Sequence, residues 1–161
     1  MIVIKLRGVK GDCKIPKYKE YLTVNTVSWD MDNETPDPDA RGNVNIDLDK
    51  LPGVTVNKSM DIASCDLMQC AMARRPLGTA DIKFLMQQGT DKDPLPYLEF
   101  KLDHAVLRSW SIEGSDDGRP TETVVINYYK IWMQYTPFDG ARPGTPISRG
   151  WDRVRNEPWN G

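Results

Sequence analysis

Long stretches of alternating apolar and polar residues constrain this chain most, because successive side chains of a β-strand point to opposite faces. In the stretch at 20–29, one strand face would carry Leu22, Val24, Thr26 and Ser28. Comparable patterns predict further strands at 2–6, 44–48, 80–87, 97–112 and 122–135. The turn-rich segment Gly114–Arg119 would join the last two strands as an antiparallel hairpin.

Helical spacing is confined to the segment from Lys58 to Arg74. Its apolar residues recur every three or four positions, at Met60, Ala63, Leu67, Cys70 and Ala71. Asn57 or Ser59 would cap the first turn, and Pro76 and Gly78 would end the helix. The sequence therefore predicts a mainly-β fold, a small antiparallel β-barrel with one flanking α-helix.

A length of 161 residues predicts a single domain spanning 1–161. Residues 30–55 form a long extended loop in this interpretation, with three prolines, six aspartates and only one short strand. A loop of this length is uncommon unless it has a function, so we expect it to contact a partner surface. The tail at 136–161 is rich in Gly, Pro and Arg but carries Trp151 and Trp159, and we expect at least Trp151 to pack against other residues.

The charge balance and the first residues narrow the possible partners and locations. The chain carries 21 basic and 23 acidic residues, for a net charge of -2, without the clustered basic excess of a nucleic-acid-binding protein. The apolar stretch at 1–6 is too short for a signal peptide or a membrane span. We expect a protein made in the cytoplasm without membrane insertion, whose export would need a dedicated machine.

No pattern of catalytic or metal-binding residues emerges. His104 is the sole histidine, and the three cysteines lack the spacing of a zinc site. The acidic run Asp30–Glu34 hints at a calcium loop, but Thr35 and Arg41 stand where an EF-hand requires Gly and Glu. We therefore expect no enzyme activity, cofactor or metal.

One predicted strand is aromatic on both faces, with Tyr128, Tyr129, Trp132 and Tyr135. A strand that is apolar on both faces is usually covered on both. In a small domain the second cover can be a neighbouring subunit, so this strand favours a symmetric oligomer.

A series of short motifs follows in order along nearly the whole chain: Ile4–Gly11, Val27–Asp30, Asn57–Met60, Leu98–Leu102, Thr121–Tyr128, Ile131–Tyr135 and Gly150–Trp151. In order and spacing the chain resembles the haemolysin-coregulated protein (Hcp) family, the tube proteins of type VI secretion systems. The loop after Trp29 departs from the family pattern, since it is acidic and Pro-rich where many members are rich in Gly or Ser.

The resemblance implies a hexameric ring whose copies stack into a secreted tube, with a sheath, spike and baseplate as partners and effector proteins carried in the lumen. It implies Thr26 and Ser28 as lumen or cargo contacts. The candidate subunit or ring contacts are Asp30, Asp32, Asn43, Val44, Asn45, Ile46, Tyr128, Trp132 and Trp151. The alternatives are a phage-type tail tube protein of similar fold and a small-ligand-binding β-barrel that would use His104.

Overall fold

The computed structural model describes residues 1–31, 52–89 and 92–161, and in these ranges the chain is mainly β, as predicted. The strands are β1 Ile2–Lys5, β2 Leu22–Val24, β3 Thr26–Ser28, β4 Val54–Ser59, β5 Gly78–Met86, β6 Leu95–Glu113, β7 Thr121–Asn127, β8 Lys130–Tyr135, β9 Phe138–Asp139, β10 Arg142–Pro143, β11 Ile147–Asp152 and β12 Glu157–Pro158. One α-helix, α1 at Ser64–Ala73, and a short 3₁₀ turn at Pro16–Tyr18 complete the described elements. The strand predicted at 44–48 lies outside the described residues.

The 19-residue strand β6 organises the sheet, because its two halves pair with different neighbours. Its first half pairs with β5 on one side and β8 on the other, and its second half pairs with β7. Between the halves lies His104, with a φ of 53°, a left-handed conformation that is uncommon for residues other than glycine. The strand therefore changes partners at this residue.

The remaining pairings carry the sheet around an apolar core. From β6 they run through β5 and β1 to β2 in one direction, and through β7 and β4 to β3 in the other. Only Asn25 separates β2 from β3 in the chain, and its N–H donates to the Asn57 carbonyl oxygen at 2.8 Å. This path of pairings begins at β2 and ends at β3, which follow each other in the chain and do not pair. The core inside it includes Ile4, Leu22, Val56, Leu67, Ile82, Leu102, Leu107 and Ile126.

The predicted helix start at Lys58 is wrong, since residues 54–59 form β4 and the helix begins at Ser64. Every residue of β4 pairs with β7, and this long-range pairing outweighs the helical spacing that begins at Met60. Neither proposed cap acts, because the Asn57 side chain donates to Thr123 and the Ser59 hydroxyl accepts from the Asn25 amide. Before the helix, the carboxylate of Asp61 accepts the N–H of Ala63 instead. The helix ends at Arg74, in the left-handed conformation common at helix ends.

A buried ion-pair network holds α1 against the sheet. The Lys58 side chain is 1 % exposed, and its Nζ lies 2.6 Å from Glu122 Oε1 and 2.9 Å from Asp61 Oδ1. The Ser64 hydroxyl donates to Glu122 Oε1 at 2.7 Å, and Trp110 Nε1 donates to Glu122 Oε2 at 2.6 Å. Both charges are therefore paired and hydrogen-bonded, which a buried ion pair requires.

The predicted strand at 122–135 is two strands, β7 and β8, that separate at Tyr128 and Tyr129. The N–H of Tyr129 donates to the carbonyl oxygen of Asp103, beside the bend in β6. The tail at 136–161 also contains strands, and β11 pairs with β8 over six residues. The tail thus extends the sheet beyond the core. No helix in the described part of the chain is long and apolar enough to cross a membrane.

Candidate interaction surfaces

The outward side of β3, β4, β7 and the second half of β6 is lined with hydroxyl and amide side chains, and we call it the hydroxyl face. Strand β4 fixes this orientation, because Val54, Val56 and Lys58 are buried and the residues between them point outward. Strand pairing then aligns two rows across the four strands. One row contains Thr26, Asn57, Thr123 and Ser111, and the other contains Ser28, Thr55, Val125 and Ser109.

The two rows of the hydroxyl face contain no charged side chain, and the charged residues at their margin on β6 are Glu113, opposite Thr121, and Arg108, in the bulge beside Ser109. Thr26 and Ser28 are both exposed on it, and the amide of Asn57 donates to the hydroxyl of Thr123 at 3.2 Å. Hydroxyl groups can donate and accept hydrogen bonds, so this surface can bind polar partners of either kind without a fixed charge. Thr26 and Ser28, the two predicted lumen residues, therefore lie together on one surface of mainly uncharged polar side chains.

A second surface lies on β8 and β11, where we define the β8–β11 face by Met133, Tyr135, Ile147 and Trp151. The side chains of these residues are 40 %, 49 %, 62 % and 41 % exposed, respectively. Cross-strand pairing places them on one side, with Ile147 opposite Tyr135 and Trp151 opposite Ile131.

The β8–β11 face continues the core side of the sheet. Met133 pairs with Phe100 and Ile131 pairs with Leu102 across the boundary between β8 and β6. Leu102 is fully buried and Phe100 packs against the core. Apolar residues thus extend this side of the sheet past the residues that cover it, with the exposed Arg149 between Ile147 and Trp151. Exposed apolar patches bordered by polar residues mark interaction sites.

Trp132 lies on the opposite side of the same strands from Trp151. It faces Gly150 across the β8–β11 pair, and the Lys101 ammonium lies 5.3 Å from the centre of its ring. A Cβ on Gly150 would approach the Trp159 carbonyl oxygen to 2.3 Å, so only glycine allows this close packing. The Gly150–Trp151 motif therefore combines a tight backbone contact with an exposed aromatic side chain.

Tyr128 is 4 % exposed, and its own chain covers it. Its hydroxyl accepts a hydrogen bond from Trp29 Nε1 at 2.7 Å, and the Arg153 guanidinium lies 4.4 Å from the centre of its ring. Burial raises the pKa of Tyr128 and lowers the pKa of Arg153. Because its own subunit buries the Tyr128 side chain, we no longer propose Tyr128 as a subunit contact.

The other predicted contacts are only partly described. Asp30 is exposed just beyond β3. Outside the described residues lie Asp32, Asn43, Val44, Asn45 and Ile46. Met133 and Ile147 were not predicted as members of the β8–β11 face, although two-residue spacing places Ile147 on the face of Trp151 and Met133 on the face of Tyr135.

His104 does not belong to a cluster of catalytic groups. Its Nδ1 lies 2.9 Å from the carboxylate of Asp103, and its ring stacks on Tyr129 in an exposed position. Within residues 1–31, 52–89 and 92–161, no three His, Cys, Asp or Glu side chains are grouped as a metal site requires. These residues form a polar bend at the surface.

Comparison with known proteins assigns the family. Residues 3–135 match the family model described as "Type VI secretion system effector, Hcp". The protein Hcp1 of Pseudomonas aeruginosa is 26 % identical over 106 residues, which are 64 % of this chain and 64 % of that protein's length.

Solved structures match over more of the chain. A structure described as a type six secretion system protein has a TM-score of 0.80 and 25 % identity, over 98 % of both chains. Hcp1 of Salmonella typhimurium has a TM-score of 0.77 and 20 % identity, over 98 % of this chain and 97 % of its own. The family match covers most of the sequence, and the fold agrees with it: this chain belongs to the Hcp family of type VI secretion system proteins.

Proposed function

We propose that the chain is a structural subunit of the inner tube of a type VI secretion machine, and that six copies form a ring. The observation that carries the proposal is the β8–β11 face, an apolar extension of the core side that its own subunit leaves exposed. Covering it with a second copy would remove Met133, Tyr135, Ile147 and Trp151 from water.

A ring requires contacts between two different surfaces of each subunit, and such contacts close when the rotation allows it. The layer formed by β8 and β11 fits between two neighbours, because Trp151 lies on one side and Trp132 on the other. Aromatic residues are enriched at protein–protein contacts. We therefore keep Trp132 and Trp151 as proposed subunit contacts. The other contacts predicted from the sequence that we keep are Asp30, Asp32, Asn43, Val44, Asn45 and Ile46.

The hydroxyl face supports a second element of the proposal, in which it lines the lumen and Thr26 and Ser28 contact cargo. A surface of mainly hydroxyl groups can form hydrogen bonds with different folded proteins. Because its two rows carry no fixed charge, it would not hold an oppositely charged cargo tightly, which suits a carrier that must release effectors. In this account the role is structural, the rings stack into a tube with sheath, spike and baseplate proteins, and the tube is exported with its effectors.

Light scattering of the purified protein tests the ring directly. We expect an absolute mass of six chains of 18.3 kDa each. A monomer at micromolar concentration would contradict the preassembled ring.

Replacing Ser28 with arginine tests the lumen assignment. The long cationic side chain would project from the hydroxyl face beside Thr55 and Val125, where it would occlude polar contacts with cargo. We expect the amount of effector that copurifies with the ring to fall about tenfold, a loss of about 1.4 kcal/mol, and the ring mass to stay unchanged. Thr79→Arg, at an exposed position of β5, is the matched control. Equal recovery of effector with both variants would refute a cargo role for this face.

A further inference from the structure

Sulfur-containing side chains are concentrated in one short part of this chain. The sequence has three cysteines and seven methionines, and half of these ten residues lie between positions 60 and 72. Cys70 is 2 % exposed and belongs to the core, and Met60 precedes α1. The other three, Cys65, Met68 and Met72, lie on α1 outside the buried core.

Cys65, Met68 and Met72 share one side of α1, which we call the sulfur face. An α-helix turns by about 100° per residue, so spacings of three and seven residues place the three side chains within about 60° around the helix axis. Neighbours three and four residues apart have Cβ atoms about 5–6 Å from each other. Because helical side chains lean toward the N-terminus, Met72 leans toward Met68, and Met68 leans toward Cys65. The three sulfur atoms can therefore reach one common point.

Packing within the subunit does not explain the sulfur face. The Cys65 thiol is free and exposed, Met72 is 78 % exposed, and Met68 is half-buried. The buried side of α1 carries other residues, among them Ser64 and Leu67. An exposed thiol and an exposed thioether contribute little to the core, and both present sulfur lone pairs to a ligand.

We propose that the sulfur face binds one Cu(I) ion per chain, through the thiolate of Cys65 and the thioethers of Met68 and Met72. Thiolate and thioether sulfurs are soft ligands, which select Cu(I) over hard cations such as Mg²⁺. Zinc and calcium, whose patterns the sequence lacks, do not use thioether ligands in their usual sites. The site needs no histidine or carboxylate, so it is compatible with the lack of a His, Cys, Asp and Glu cluster in the described part of the chain.

Binding exchanges a proton for the metal at Cys65. The S–H bond of the thiol breaks, its proton passes to the buffer, and Sγ forms a bond to Cu(I), because the thiolate is the form that binds metals. The two thioethers donate lone pairs and release no proton. No electron is transferred, since the metal enters and stays as Cu(I). Cys13 and Cys70 are buried, which leaves Cys65 as the thiol that meets the ion.

Competition with a coloured chelator measures the affinity of the site. The full chain, reduced and free of oxygen, is titrated against the Cu(I)–bicinchoninate complex, and the fall in absorbance of this complex reports transfer to the protein. We expect transfer of one Cu(I) per chain. The variant Met68→Leu, Met72→Leu removes two ligands at nearly constant volume. Loss of a residue that only supports a metal ligand typically weakens binding about 10–100-fold, so we expect this variant to bind at least about a hundredfold more weakly.

Met31→Leu, Met86→Leu is the matched control, because it also removes one exposed and one half-buried thioether. We expect the control to bind Cu(I) like the unmodified protein, and Cys65→Ser to lose binding. Circular dichroism checks that each variant keeps its fold.

Methyl NMR of the unmodified protein gives a second readout that needs no substitution. With the methionine methyl carbons labelled, Ag(I), a soft diamagnetic ion, should shift two of the seven signals. The signals missing from the variant Met68→Leu, Met72→Leu identify these two residues.

Three results would overturn the proposal. The first is the absence of Cu(I) transfer from the chelate. The second is unchanged affinity in Met68→Leu, Met72→Leu, which would reduce the site to an isolated thiol, or in Cys65→Ser. The third is an Ag(I) shift confined to other methionines. None of these measurements depends on ring formation, so a failure of the copper site is distinguishable from a failure of the proposed function.

Discussion

Replacing Trp151 with alanine should dissociate the ring into single chains at micromolar concentration. Trp151 is exposed on the β8–β11 face, directly opposite Ile131 at the edge of the core. Tryptophan is the residue type most often found to dominate binding energy, at 2 kcal/mol or more, which corresponds to about 30-fold weaker binding at each contact. Every subunit of a ring takes part in two such contacts, so the lost binding free energy adds up around the ring. Light scattering would measure the mass.

Val154→Ala is the matched control, because Val154 is also an exposed apolar residue but lies in the turn after β11. We expect this variant to retain the full ring mass. Thermal unfolding should show that Trp151→Ala still folds, since its side chain contributes little to the core of its own subunit. A Trp151→Ala protein that keeps the mass of the unmodified ring would exclude the β8–β11 face as the principal subunit contact.

Replacing Lys58 with methionine should lower the melting temperature by about 10 °C. Lys58 is the buried cation of the network, and without it the carboxylate of Glu122 stays buried with only neutral donors. Removing one partner of a buried ion pair typically costs about 3–5 kcal/mol. In a protein of this size each kcal/mol shifts the melting temperature by about 2–4 °C. Thermal unfolding followed by circular dichroism gives the shift.

The double variant Lys58→Met, Glu122→Gln separates the buried charge from lost packing. Glutamine carries no charge: its one amide oxygen can accept the hydrogen bond of Trp110, and its NH₂ group can donate to the hydroxyl of Ser64, which accepts as well as donates. We expect the double variant to recover most of the lost melting temperature. Equal melting temperatures for the single and double variants would mean that an unpaired Glu122 carboxylate is not the cause.

The fold class was predictable because period-two alternation is a local property of the sequence. The helix start was not, because the apolar spacing at Met60 and Ala63 suits a helix whereas the preceding residues pair with β7 over a long sequence separation. Lys58 illustrates the difficulty: its position on the buried side of β4 depends on Glu122, which lies 64 residues away in the chain. Such pairings cannot be inferred from local pattern alone.

The surfaces were predictable only in part. Thr26 and Ser28 were identified, but their neighbours Thr55, Thr123 and Ser111 lie on other strands whose register depends on the packed core. Strand β11 in the tail was harder still to predict, because glycines and prolines interrupt the alternating pattern there. The strand forms by pairing with β8. We predicted Trp151 as a packed residue and as a subunit contact, and within its own subunit it is exposed on a strand that extends the sheet.

The most direct test of the account is the absolute mass of the purified, unmodified protein, with electron microscopy of the same chromatographic peak. The account predicts six times the 18.3 kDa chain and ring-shaped particles with a central opening. A homogeneous monomer of 18.3 kDa at micromolar concentration would contradict it. That result would mean that the exposed β8–β11 face does not drive ring formation by this chain alone.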